Sequence, residues 1–129
     1  MKREPSFLSS SIGMKVIMAL TGLVLVGFVI GHMAGNLQIY LPSHDGVYAL
    51  DTYAVFLRTM LHGAGIWIAR AGLLASTALH IWSAIRLTQM NAAARPVAYQ
   101  NPGYKASTFA SRSMRVTGFI LAAFIVFHI

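Results

Sequence analysis

From residue 16 to residue 40 the chain runs without a single aspartate, glutamate, lysine or arginine. Crossing the hydrocarbon layer of a bilayer takes about 20 residues of helix. Lipid offers the backbone no hydrogen bonds, so such a segment must satisfy its own amides and carbonyls, which an α-helix does. Two further apolar runs follow, residues 66–90, whose only charged residues are Arg70 and Arg86 toward its ends, and residues 116–129, which have none. Only 10% of the 129 residues are charged, against about a quarter in an ordinary soluble domain, so little is left over for a water-facing surface. The reading is an all-α transmembrane helical bundle, one membrane domain with three spans in view. The third run reads as incomplete, because its fourteen residues extend about 21 Å as helix against a hydrocarbon thickness of about 30 Å. Either the chain stops inside that helix or something else completes it.

The sequence has no cysteine, which excludes disulfides, thiolate-held iron–sulfur clusters and covalent CxxCH haem attachment. The opening MKREPSFLSSSIGMK is basic, but the run after it is span-length and shows no small-residue cleavage pattern, so the first span reads as a retained helix. A net charge of +7 would suit nucleic acid if it were spread over one face, and it is not. Lys2, Arg3 and Lys15 precede the first span, and Arg86, Arg95, Lys105, Arg112 and Arg115 lie between the later two; only Arg58 and Arg70 are on the other side. That asymmetry places the N-terminus and residues 91–112 in the cytoplasm and residues 41–65 outside. The outer segment holds Asp45 and Asp51, turns at Pro42, Ser43 and Gly46, and continues over residues 47–62 as an amphipathic surface helix. Tyr40, Trp67 and Tyr99 suit interfacial aromatic belts.

The first and third runs are also copies of each other. TGLVLVGFVIGH at residues 21–32 and TGFILAAFIVFH at residues 117–128 share Thr21/Thr117, Gly22/Gly118, Leu25/Leu121, Phe28/Phe124 and His32/His128, with Met18/Met114 just before. Met18, Thr21, Leu25, Phe28, His32 and Asn36 share one face of a helix. The second run contributes His80, 48 residues after His32 and 48 before His128. Each span therefore carries one deep histidine, and ionisable groups at that depth mark functional sites by default.

Three chemistries compete for them. One is helix–helix hydrogen bonding or a proton relay, and for Gly22, Gly27, Gly31 and Gly35 the matching reading is close GxxxG packing. A bare metal ion would lack carboxylate and thiolate ligands. Haem brings four nitrogens of its own, asks only for axial imidazoles and fits a glycine-lined gap. Depth then sorts the ligands. His32 and His128 fall about 20 to 25 Å from the cytoplasmic ends of their helices, whereas His80, on a helix of opposite direction, falls about 9 to 15 Å from that side. His32 and His128 can grip one haem, and His80 belongs to another.

The patterns K-x2-M-x2-TG-x5-F-x3-H-x3-N from Lys15, R-x-G-x7-H from Arg70 and TG-x5-F-x3-H from Thr117 resemble the dihaem cytochrome b membrane anchor of succinate dehydrogenase and fumarate reductase of the menaquinone type. The resemblance covers essentially the whole chain. Family members have five helices with axial ligands on the first four, so it implies a probable five-span bundle of which the last two helices are not in this sequence. It implies two haem b groups, a distal one on His32 and His128 and a proximal one on His80 with a fourth ligand from a further helix, and Gly22 and Gly118 read as cofactor-binding positions beside them. The implied partners are a flavoprotein and an iron–sulfur subunit, membrane lipid and menaquinone, in the bacterial cytoplasmic membrane. The implied role is electron transfer, with dicarboxylate chemistry left to the flavoprotein.

Arg70 reads either as a haem-propionate partner or as an interfacial snorkelling arginine. Arg112 and Arg115 read as propionate partners, as docking residues or as positive-inside charges. Since family quinone sites lie near the outer end, Asp51, His44 and His62 are candidates for quinol proton handling, the two histidines also reading as ordinary loop residues. The rival functions are a cytochrome b of hydrogenase or formate dehydrogenase type and a transporter subunit with a histidine relay. In the topology read here, protease reaches residues 91–112 only from the cytoplasmic side; cleavage there in intact cells would overturn it.

Overall fold

The computed structural model describes residues 6–97, 100 and 106–129, and the chain divides into two compact units, Met1–Pro96 and Val97–Ile129. Tyr99, Lys2, Arg3 and Lys105, invoked above, lie outside the described residues. Among the described residues the regular structure is entirely helical, with three helices long and apolar enough to cross a membrane.

The first unit begins with a 3₁₀ turn, Phe7–Ser9, that leads into helix α1, Ser11–Leu37. Ser10 is its N-cap: its backbone is extended and its hydroxyl oxygen accepts from the Gly13 amide at 3.0 Å, satisfying one of the orphan donors of the first turn. Gly13 is obligatory there, because a Cβ would run into the Phe7 carbonyl. At 27 residues α1 is about 40 Å long. It tightens into a 3₁₀ turn at Gln38–Tyr40 and stops where Leu41 turns extended ahead of Pro42.

A tight turn through Asp45 (φ 54°) and Gly46 (φ 79°) follows, closed by reciprocal backbone hydrogen bonds of 3.1 and 2.9 Å between His44 and Val47. Helix α2, Ala49–Thr59, then occupies the middle of the expected amphipathic segment. Asp51 in its first turn and Arg58 in its last complement the helix dipole. The chain reverses through Leu61 (φ 52°), His62 (φ 55°) and Gly63 (φ 87°), three successive left-handed residues, into helix α3, Ala64–Ala93. Left-handed backbone costs about 1–2 kcal/mol at each non-glycine position.

Helices α1 and α3 pack antiparallel, and burial is concentrated at the ends of the pair. Met14, Thr21, Ser83 and Leu87 are buried toward one end and Gly35 and Gly65 at the other. Between them, at residues 22–34 of α1 and 66–82 of α3, no side chain is buried by the chain itself. Most large apolar side chains point outward, Leu23 being 71% exposed, as suits helices solvated by hydrocarbon.

The second unit contains helix α4, Phe109–His128. It starts seven residues ahead of the apolar run, capped by Thr108, whose hydroxyl oxygen accepts from the Ser111 amide at 3.2 Å. Arg112 and Arg115 therefore sit within its first turns, where long cationic side chains can reach an interface. Counting apolar residues alone made the helix too short. At 20 residues it is about 30 Å long, enough to cross.

Ser83 has no exposed surface, so Ser83→Leu overpacks the α1–α3 seam and should cost about 1–3 kcal/mol. Leu23→Ala should be nearly silent. Unfolding of the two variants by denaturing detergent, followed by circular dichroism, checks the contrast.

Candidate functional site

The site is built at the level where a threonine of α1 meets a histidine of α3. The Thr21 hydroxyl lies 2.7 Å from the Ile17 carbonyl oxygen and 3.2 Å from that of Met18, and 3.0 Å from Nδ1 of His80. The first two contacts are the back-bonding expected of a threonine in an apolar helix; the third crosses between helices. Directly beside it, a Cβ on Gly22 would stand 3.2 Å from Cε1 and 3.7 Å from Nδ1 of the His80 ring. The ring thus presents its Nδ1–Cε1 edge to α1, and the missing side chain of Gly22 is what admits it. On α3, the Ser83 hydroxyl donates to the His80 carbonyl at 2.9 Å, so the turn that carries His80 is tied on both sides.

His32 is placed differently. Phe28, one turn earlier on α1, stacks against its ring with centroids 5.2 Å apart and planes 26° from parallel, and Asn36 donates to its carbonyl at 2.9 Å. From Thr21, opposite His80, eleven residues of α1 lead to His32, a rise of about 16 Å. The two histidines therefore stand at separate levels of one helix pair, as their depths in the sequence required. The same count back along α3 from His80 reaches Ala69, beside Arg70. Arg70 is thus level with His32, where its guanidinium lies over the Trp67 ring, 5.1 Å from the centroid.

Considered alone, α4 repeats the local geometry of α1. Phe124 stacks on His128 at 5.2 Å and 21°, and the Thr117 hydroxyl donates to the carbonyls of Ser113 and Met114 at 3.2 and 3.1 Å. Gly118 has open space where a side chain would be. The sequence repeat is therefore also a repeat of side-chain conformation.

The glycines of α1 divide in a way their spacing did not reveal. Gly22 serves His80 rather than His32; Gly35 admits Tyr53 of α2, whose Cε1 would be 2.8 Å from a Cβ; Gly27 and Gly31 face open space. Among the described residues no three histidines, cysteines or carboxylates converge as a set of ligands for a metal ion. His32 and His80 stand at different levels of the α1–α3 pair, so they do not converge on one point.

At the end of the α1–α3 pair where α2 lies, a groove of about 460 Å³ is lined by Gln38, Pro42, His44, Val47, Ala49, Thr52, Tyr53 and Phe56. Of the three outer titratable candidates only His44 lines it; Asp51 is exposed in the first turn of α2, and His62 is exposed at the left-handed reversal. Gln38, Thr52 and Tyr53 escaped the sequence reading because each is unremarked until the Asp45–Gly46 turn folds the strand-like approach back over the end of α1.

Compared with protein-family models, curated proteins and solved structures, the chain matches none.

Gly22→Ile places a branched side chain against the His80 ring and should cost about 1–3 kcal/mol in detergent-induced unfolding. Gly27→Ala, entering open space, should be neutral or stabilising by up to about 1 kcal/mol. Equal effects would mean that Gly22 does not admit the ring.

Proposed function

We propose that this chain is a haem b-binding membrane anchor of a succinate:quinone oxidoreductase, passing electrons between an iron–sulfur subunit and menaquinone. The observation that supports the reading is the placement of two histidines, His80 and His32, about 16 Å apart along one helix pair, with the Phe–His stack of His32 repeated at His128.

In this reading His32 and His128 hold one haem and His80 holds a second, whose other ligand comes from a further helix. Haem supplies one-electron redox chemistry when bound. The protein residues do the rest. A haem held by two histidines would be suited to electron transfer rather than to binding oxygen. Phe28 and Phe124 hold their imidazoles from one side, and Arg70, level with His32, is a cation for a propionate. The exposed apolar surface of α1, α3 and α4 faces lipid and the remaining helices. The N-terminus and residues 91–112 face the cytoplasm, where the iron–sulfur and flavoprotein subunits dock, and the membrane is the bacterial cytoplasmic one. His44, lining the outer groove, is the outer histidine best placed to exchange quinol protons.

The hydroxyl–imidazole pair Thr21–His80 also suits a proton relay, which is the second reading. A reduced-minus-oxidised spectrum separates them: the anchor shows b-type haem bands, a relay protein shows none. In the anchor, His32→Ala and His128→Ala each remove the same haem and His80→Ala removes the other. Loss of different haems in the first two variants would refute the pairing.

A further inference from the structure

We propose that Thr21 is a positioning residue that holds His80 as its Nδ1–H tautomer, so that the lone pair available for ligation is on Nε2. The ligand role of that lone pair rests on the haem reading above; the tautomer does not.

The Thr21 hydroxyl has one proton and three oxygen or nitrogen neighbours, the Ile17 carbonyl at 2.7 Å, the Met18 carbonyl at 3.2 Å and His80 Nδ1 at 3.0 Å. Carbonyls accept only. If the hydroxyl gave its proton to Nδ1, its oxygen would face the Ile17 carbonyl oxygen lone pair to lone pair at the shortest of the three distances. The proton therefore goes to Ile17, and the hydroxyl oxygen can only accept from the imidazole. Nδ1 must then carry hydrogen, and in a neutral ring Nε2 does not. The Gly22 contact agrees, since only Cε1 and Nδ1 come within 4 Å of the Cβ position there, so Nε2 is on the side of the ring away from α1. A ligating histidine commonly has this arrangement, its second nitrogen donating to a fixed acceptor that sets ring orientation and raises donor strength.

The test uses the full chain in detergent with ¹⁵N-labelled histidine, in alkaline buffer. His80 is assigned by loss of its signals in His80→Ala. Wild type should show Nδ1 protonated and Nε2 bare. Thr21→Val, nearly isosteric, should move the tautomer ratio roughly fivefold or more toward Nε2–H, the scale set by one hydrogen bond; Thr21→Ser should restore it. A wild-type His80 already in the Nε2–H form, or a ratio unchanged in Thr21→Val, overturns the proposal. In haem-loaded protein isolated from membranes, Thr21→Val should raise the midpoint potential of the haem that His80→Ala abolishes and leave the other unchanged; equal movement of both overturns the ligand role. Absence of haem from the wild-type protein refutes the haem reading, while the nitrogen spectra still decide the tautomer.

Discussion

An imidazole in hydrocarbon needs a polar partner at once, because an unsatisfied donor or acceptor there costs several kcal/mol. The seam between α1 and α3 is arranged around the partner given to His80. Thr21 introduces a hydroxyl without introducing a new unsatisfied group, since the Ile17 carbonyl anchors it. Interhelical bonds of this kind are worth only about 0.6–2 kcal/mol in a bilayer. Their larger effect is on register: rotating either helix by one residue, about 100°, removes the hydroxyl from the ring. Gly22 and Ser83 reinforce the choice by shape, one admitting the ring edge and the other leaving no room for a larger side chain.

The remainder of the molecule reverses the logic of a water-soluble fold. Met14 and Leu87 are the buried apolar residues among those described, while Leu23, Val26, Phe119 and Phe127 are exposed. In water such a surface would aggregate. In lipid each helix satisfies its own backbone, and association depends on close packing and a few hydrogen bonds rather than on hiding apolar area. A small interior is therefore compatible with a defined α1–α3 pair, provided the seam contains small residues and at least one polar bond. It contains Gly22, Ser83 and the Thr21–His80 bond.

Hydropathy and periodicity carried the architecture well, because lipid exposure and helical self-sufficiency leave long uncharged runs few alternatives. The three spans and the surface helix follow from them. The start of α4 was hidden because Arg112 and Arg115 interrupt the apolar run, although Thr108 with Ser111 is a legible cap once the helix is allowed to begin among charges. The separate levels of His32 and His80 were legible from depth, since rise per residue is fixed. Which glycine faces which residue was not. Gly22, Gly27, Gly31 and Gly35 look alike in sequence, and only the tilt and register of α3 and the fold-back of α2 assign His80 to the first and Tyr53 to the last. The groove beside α2 was illegible for the same reason: Gln38 and Tyr53 line it together only because the Asp45–Gly46 turn reverses the chain.

Register also changes how the repeated motif is understood. In α1 the Thr-Gly pair and the histidine that closes the motif do not act at one place. Thr21 and Gly22 receive a histidine from the neighbouring helix, and His32, eleven residues on, acts about 16 Å away. Under the haem reading, a helix with this motif has two functional levels, a receptor for another helix's imidazole and a donor of its own. Helix α4 has the same spacing, the same back-bonded threonine at 117 and the same Phe-His stack at its other end. Under the haem reading, Thr117 and Gly118 then hold toward a further histidine the place that Thr21 and Gly22 hold toward His80. One motif used twice would thus account for both the ligands of one haem and the supports of the other, which a repeat serving the paired histidines alone would leave half unexplained.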